Sequence, residues 1–86
     1  YYGMCIAFHD DVDKLCNEAN IPFNDVMIKW NTEYNRGYKL LGKHNVIRPV
    51  LSSPKGKIGG HCIIPNAEII KDYFKSDVVK YILKLK

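Results

Sequence analysis

Cys62 is the side chain in its stretch of sequence best suited to covalent chemistry, because a thiolate adds readily to a carbonyl carbon. Gly59 and Gly60 precede it, and glycines permit positive φ and leave room for a ligand to approach the backbone. His61 is adjacent, and Lys55 and Lys57 lie in the same loop. Pro65 and Asn66 follow and are expected to open a helix. A helix N-terminus and nearby cations both favour thiolate over thiol, so the arrangement predicts an activated cysteine. The plainer alternative is a Gly-Gly turn leading into a buried cysteine and a capped helix.

Cys5 and His9 form a second constellation, four residues apart on one helical face. With His61 and Cys62 they would supply four ligands of the types zinc takes. Adjacent His61 and Cys62 lack the usual spaced-pair geometry, and Cys5 more simply faces a core, so no metal is expected. His9 and His44 are assigned no functional role.

These residues must be placed by helices. Cys5, Phe8, Val12, Leu15, Cys16 and Ala19 recur at intervals of three and four, with Asp11, Lys14 and Glu18 on the other face. That predicts a first helix ending near Asn20, where Ile21 and Pro22 interrupt it. Asn24 is the expected cap of a second helix carrying Phe23, Val26, Met27, Trp30, Tyr34, Tyr38 and Leu41. Gly37 is its weak point and Gly42 its terminator. Phe8, Trp30 and Tyr34 fall at core or interface spacing and are assigned to packing.

Lys43 to Pro65 is rich in glycine and proline and lacks helical periodicity, with at most a short extended piece over Asn45 to Leu51. Loops beyond about 12 to 15 residues are uncommon in compact domains and often functional. A third helix is expected from Asn66 with Ile69, Ile70, Tyr73 and Phe74. A fourth, capped by Ser76 with Asp77, carries Val78, Val79, Ile82 and Leu83. The fold class is therefore mostly α, a small single domain of about four helices with one long glycine- and proline-containing loop.

Composition sets the outer bounds. At 86 residues and 47% hydrophobic, the chain supports only a modest core and is expected to rely on a dimer partner or on neighbouring domains. Three cysteines without paired spacing argue against a disulfide-stapled secreted protein and for a reducing, cytoplasmic setting. No membrane or targeting segment is apparent. The net charge of +4 is concentrated from Lys43 onward, a bias that can attract phosphate groups. The lysines are scattered over helix faces and a loop, and the aromatics keep core spacing, which disfavours a nucleic-acid module.

The stretch Pro54, Lys55, Gly56, Lys57, Ile58, Gly59, Gly60, His61, Cys62, Ile63 resembles the cysteine loop of nucleotide-sugar dehydrogenases, the UDP-glucose and GDP-mannose dehydrogenase family. Tyr1 to Asn20 is similar to the long helix that enters that family's central dimerisation domain, and the resemblance runs to about Lys75. It implies a fold like the 6-phosphogluconate dehydrogenase C-terminal-like middle domain, here as a fragment or middle domain of a larger dehydrogenase.

The resemblance further implies an NAD-dependent oxidation of a sugar primary alcohol to a carboxylate in the parent enzyme. Cys62 is then the nucleophile, and Gly59, Gly60, His61 and Lys57 line the sugar-nucleotide site. Asn66 stands where the family has an aspartate, and Lys57 where it commonly has a glycine. The family's catalytic lysine and both nucleotide-binding domains have no counterpart in this stretch, and no G-x-G-x-x-G occurs. The segment alone is expected to bind no NAD and to turn over nothing. Expected partners are a second copy through helices 1 and 2, flanking nucleotide-binding domains and, in the parent, a nucleotide sugar. The competing expectation is a catalytically silent relative whose helices serve only as an interface.

Overall fold

The computed structural model describes residues 1–59 and 61–86, and four α-helices carry the fold among them. Helix α1 spans Tyr2–Ala19 and stops where the sequence predicts. Asn20 takes the left-handed conformation (φ 58°), and the Ile21 N–H donates back to the Cys16 carbonyl at 2.9 Å. Asparagine tolerates that conformation better than other side chains, so the helix closes without a glycine.

The second helical run differs from expectation at its start. Asn24 does not cap it; Phe23 occupies the cap position, without a side-chain bond, and Asn24–Ile28 form a π-helical turn. Helix α2 continues over Lys29–Leu40, passing through Gly37 without a break. Gly42 does end the run: with φ 72° it lets the Lys43 N–H reach the Tyr38 carbonyl at 2.9 Å. His44–Val46 make a short 3₁₀ turn, and the backbone from Ile47 to Gly59 has no regular structure beyond one turn.

Helix α3 spans Ile63–Lys71, and helix α4 spans Asp77–Leu83. Ser76 caps α4 as the sequence predicts, its hydroxyl accepting from the Val79 N–H at 3.2 Å. Helix α3 begins three residues earlier than expected. Pro65 does not precede it but sits in its first turn, where a missing N–H costs nothing because that donor has no intrahelical partner. None of the helices is long and apolar enough, over the described residues, to cross a membrane.

The core lies where α1 meets α3 and α4. Ala7, Ile58, Ala67, Ile82 and Leu85 form the buried cluster, with Ile6, Ile63, Ile64 and Val79 packed around it. Small residues on α1 permit this close approach: a Cβ at Gly3 would lie 2.8 Å from Ile63 Cγ2 and 3.1 Å from Ile82 Cδ1. The Tyr81 hydroxyl adds a bond to the Ala7 carbonyl at 3.2 Å.

Helix α1 keeps Asp11, Lys14 and Glu18 exposed and Cys16 buried, as the spacing predicts, but most of its packing residues are not those of the apolar stripe. Its buried side carries Gly3, Ala7, Asp10 and Asp13, whereas Phe8 is 52% and Leu15 63% exposed. On α2 the buried residues are Asn31 and Asn35, while Trp30 is 69% exposed. Packing of Phe8 and Trp30 inside the chain is thus contradicted. The core needs helices to approach closely, which selects glycine and alanine, and the long loop needs polar partners, which selects the acidic and amide side chains. Tyr34 does pack, against Tyr38 at 4.7 Å between ring centroids and under the Arg48 guanidinium at 3.7 Å.

Candidate functional site

Cys62 is the N-cap residue of α3 and is exposed to solvent. Its carbonyl accepts the first bond of the helix, from the Asn66 N–H at 3.2 Å. Cys62 therefore sits at the helix terminus itself, closer than a start at Asn66 would have put it. No side chain caps this end. Among the described residues the Ile63 and Ile64 N–H groups of the first turn have no partner, and the positive end of the helix dipole faces the thiol's surroundings.

The sequence-derived site residues fall into two clefts. Cys62 and Asn66 share a cleft of about 290 Å³ with Tyr1, Tyr2, Gly3 and Ile70. Lys57 and Gly59 line another, of about 370 Å³, with Ile6, Ser52 and Ser53. His61 is exposed beside Cys62 and lines neither. Gly60 lies outside the described residues.

Two details of the loop depart from expectation. Gly59 does not use its conformational freedom; among the described residues of the loop, positive φ occurs at Lys55 (φ 56°) and Gly56 (φ 85°), three and more residues earlier. Lys55 is also not free to act on the thiol, because its ammonium lies 3.2 Å from the Asp13 carboxylate. The tight turn is where the loop meets α1, and its geometry is dictated by that contact.

That contact is a buried polar network, and sequence reasoning missed it. The Gly56 N–H donates to Asp10 Oδ1 at 2.6 Å, and Lys14 holds Asp10 Oδ2 at 3.0 Å. The Ser53 hydroxyl donates to Asp13 Oδ2 at 2.8 Å. Both carboxylates are nearly sealed from solvent, at 3% and 6% exposed. The Ser53 bond, against the opposing effect of burial and with the aid of Lys55, holds the Asp13 carboxyl below its ordinary range. Asp10 raises the Lys14 ammonium by its hydrogen bond and its charge.

A second tie fixes the loop's beginning. Asn35 donates from Nδ2 to the Arg48 carbonyl and accepts the Arg48 N–H on Oδ1, each at 2.8 Å. The signal for these residues was available: Asp10 and Asp13 sit on the same face as Gly3 and Ala7, and a polar residue among small ones on a packing face needs a partner.

A larger cleft, about 590 Å³, lies away from Cys62 between α1 and the second helical run, lined by Phe8, His9, Met27, Trp30, Asn31 and Arg48 among others. His9 lies in its wall, with Nδ1 2.6 Å from the Cys5 carbonyl and a buried Nε2 that has no partner among the described residues. A carbonyl only accepts, so Nδ1 carries the proton. That bond fixes the ring against α1 and leaves the lone pair on the buried Nε2. Among the described residues no three His, Cys, Asp or Glu side chains converge to hold a metal ion.

No protein-family model matches this chain, and no significantly similar characterised protein or solved structure was found.

Proposed function

We propose that this chain is the central helical segment of an NAD-dependent, UDP-glucose-type nucleotide-sugar 6-dehydrogenase, with Cys62 as its nucleophile. The observation that carries the reading is the placement of Cys62. It is an exposed thiol at the uncapped start of a helix, on a loop tied to the rest of the chain, with an open cleft beside it. In this reading the Cys62 sulfur adds to the carbonyl carbon of a sugar aldehyde, and the oxygen takes a proton to give a thiohemiacetal. After oxidation to the thioester, water displaces the sulfur and releases the carboxylate. The oxidations would be the work of NAD held by flanking domains; the segment supplies no dinucleotide fingerprint and is not competent alone.

The roles of the neighbours follow from position. Asn66 shares the cleft with Cys62 and can donate or accept a hydrogen bond there, but it cannot take a proton as the family's aspartate would. Lys57, in the other cleft, offers a cation to a phosphate. The same helices serve a second copy of the chain: the apolar line of α1 and Trp30 of α2 form the homodimer face. A silent interaction module is the second reading, favoured by Asn66 itself.

Alkylation with iodoacetamide at neutral pH separates the two. An ordinary thiol is only a few per cent ionised at pH 7, so an activated one reacts faster folded than unfolded. Exposure alone would place Cys62 ahead of buried Cys16, so the unfolded chain in urea is the proper reference. The catalytic reading expects Cys62 to react at least about tenfold faster in the native protein than in urea. Equal rates would leave only the silent module.

A further inference from the structure

We infer that Asp10 and Asp13 are positioning residues for Cys62: two buried carboxylates on α1 fix the loop that delivers the thiol to the start of α3. This rests on the reading of Cys62 as the reacting group.

Helix α1 presents Asp10 and Asp13 on its packing side, at 3% and 6% exposure. Without the loop, two charges would stand on that surface with Lys14 as the remaining partner, so the loop is what allows their burial. Among the described residues the loop in turn has no strand pairing of its own. It is tied by side chains instead: Ser53 and Lys55 to Asp13, and the Gly56 N–H to Asp10. The 2.6 Å bond from Gly56 explains the left-handed turn at Lys55 and Gly56, which aims that N–H at the helix.

The constraint is passed on at short range. Two residues after Gly56, the Ile58 N–H donates to the Leu85 carbonyl at 2.6 Å, and the Ile58 side chain is buried in the core. Three residues then separate Ile58 from Cys62, where α3 begins. A span of four residues reaches at most about 14 Å, so the anchored turn on one side and α3 on the other restrict where the thiol stands. Neither aspartate lines the Cys62 cleft, so each acts through the backbone it holds.

The test uses the full chain and reads two things, amide hydrogen exchange over residues 52–62 and iodoacetamide rates at all three cysteines. In the double variant Asp10→Ala/Asp13→Ala, exchange over 53–59 should rise at least tenfold. The native-over-urea rate advantage of Cys62 should fall to within twofold of unity. Cys16, 4% exposed on the same helix, should stay as protected as in the wild type. Asp10→Asn keeps an acceptor for the Gly56 N–H and should retain most of the protection. Ser53→Ala, a change on the loop side that leaves α1 intact, should loosen 53–55 first.

Labelling of Cys16 in step with Cys62 would mean general loosening and would overturn the inference, as would unchanged exchange in both the double variant and Ser53→Ala. A wild-type Cys62 without any rate advantage would sink the nucleophile reading and with it the positioning role, whereas the exchange data would still decide whether the carboxylates hold the loop.

Discussion

Asn35 holds both backbone groups of Arg48, accepting its N–H and donating to its carbonyl over 2.8 Å each. An amide side chain thereby does what a neighbouring strand would do, offering one acceptor and one donor to a residue outside any helix. Asn35 is itself buried, and the Arg48 guanidinium folds back over Tyr34, one residue earlier on α2. The loop that leads to Cys62 is thus tied to α2 at Arg48 and to α1 at Ser53 through Gly56 before it reaches the core at Ile58.

Replacing Asn35 by alanine removes both bonds and leaves the Arg48 N–H and carbonyl without their protein partners. An unsatisfied buried group costs about 1–3 kcal/mol, less where water can enter. Arg48 is exposed, so water can replace part of what is lost, and Asn35→Ala should lower stability by about 0.5–1.5 kcal/mol. In a domain of this size each kcal/mol shifts the thermal midpoint by roughly 4–8 °C. Circular dichroism melting reads this directly, and an unchanged midpoint would show that the Asn35 clamp contributes nothing to the fold.

The helices were legible because their signals are local. Pro22 after α1, Gly42 after α2 and Ser76 before α4 act through backbone geometry and capping, which a sequence states openly. The start of α3 is ambiguous in the sequence, because Pro65 fits equally well before a helix and within its first turn. The polar face of α1 was legible, but most of its packing residues could not be read from the apolar stripe. Gly3 and Ala7 bury a helix by allowing close approach, and that contributes little to a hydrophobic pattern. Of the site, Cys62 was visible by its chemistry. Its supports, Asp10, Asp13 and Asn35, act across 13 to 46 residues of chain, and nothing local marks the pairings.

Acid should loosen the molecule at two places. Asp13 is held below the ordinary carboxyl range, chiefly by Ser53. Glu68, bonded to Lys71 and to Lys86 at the C-terminal end, is drawn down to about 2. For carboxyls depressed in the folded state, the stabilisation is complete above their unfolded values, near about 4, and is lost as pH falls through the folded ones. The thermal midpoint should therefore hold from pH 7 to about 5 and decline between about pH 4.5 and 2. Glu68→Gln should flatten part of that decline. A variant whose acid profile superimposes on the wild type would show that Glu68 is not coupled to folding.

The outward line of α1 decides whether the chain associates with itself. Tyr1, Phe8 and Leu15 recur at seven-residue intervals with Met4 between them, and all four are exposed. A seven-residue apolar repeat on one face of a helix is the pattern by which helices pair along their length. Trp30 extends the apolar surface onto α2, across the cleft that Phe8 and Met27 help to line. Two-fold pairing would place the same residues on both sides of the seam, and a stable interface needs roughly 800 Å² from each partner. Lysines at the centre of such a seam would face each other in the dimer but cost little in a monomer, because Phe8 and Leu15 already meet solvent. Sedimentation at micromolar concentration should therefore show a dimer for the wild type and a monomer for Phe8→Lys/Leu15→Lys, with Cys16 still protected from alkylation in the variant. A wild type that stays monomeric across the concentration range would exclude pairing of two copies through this face.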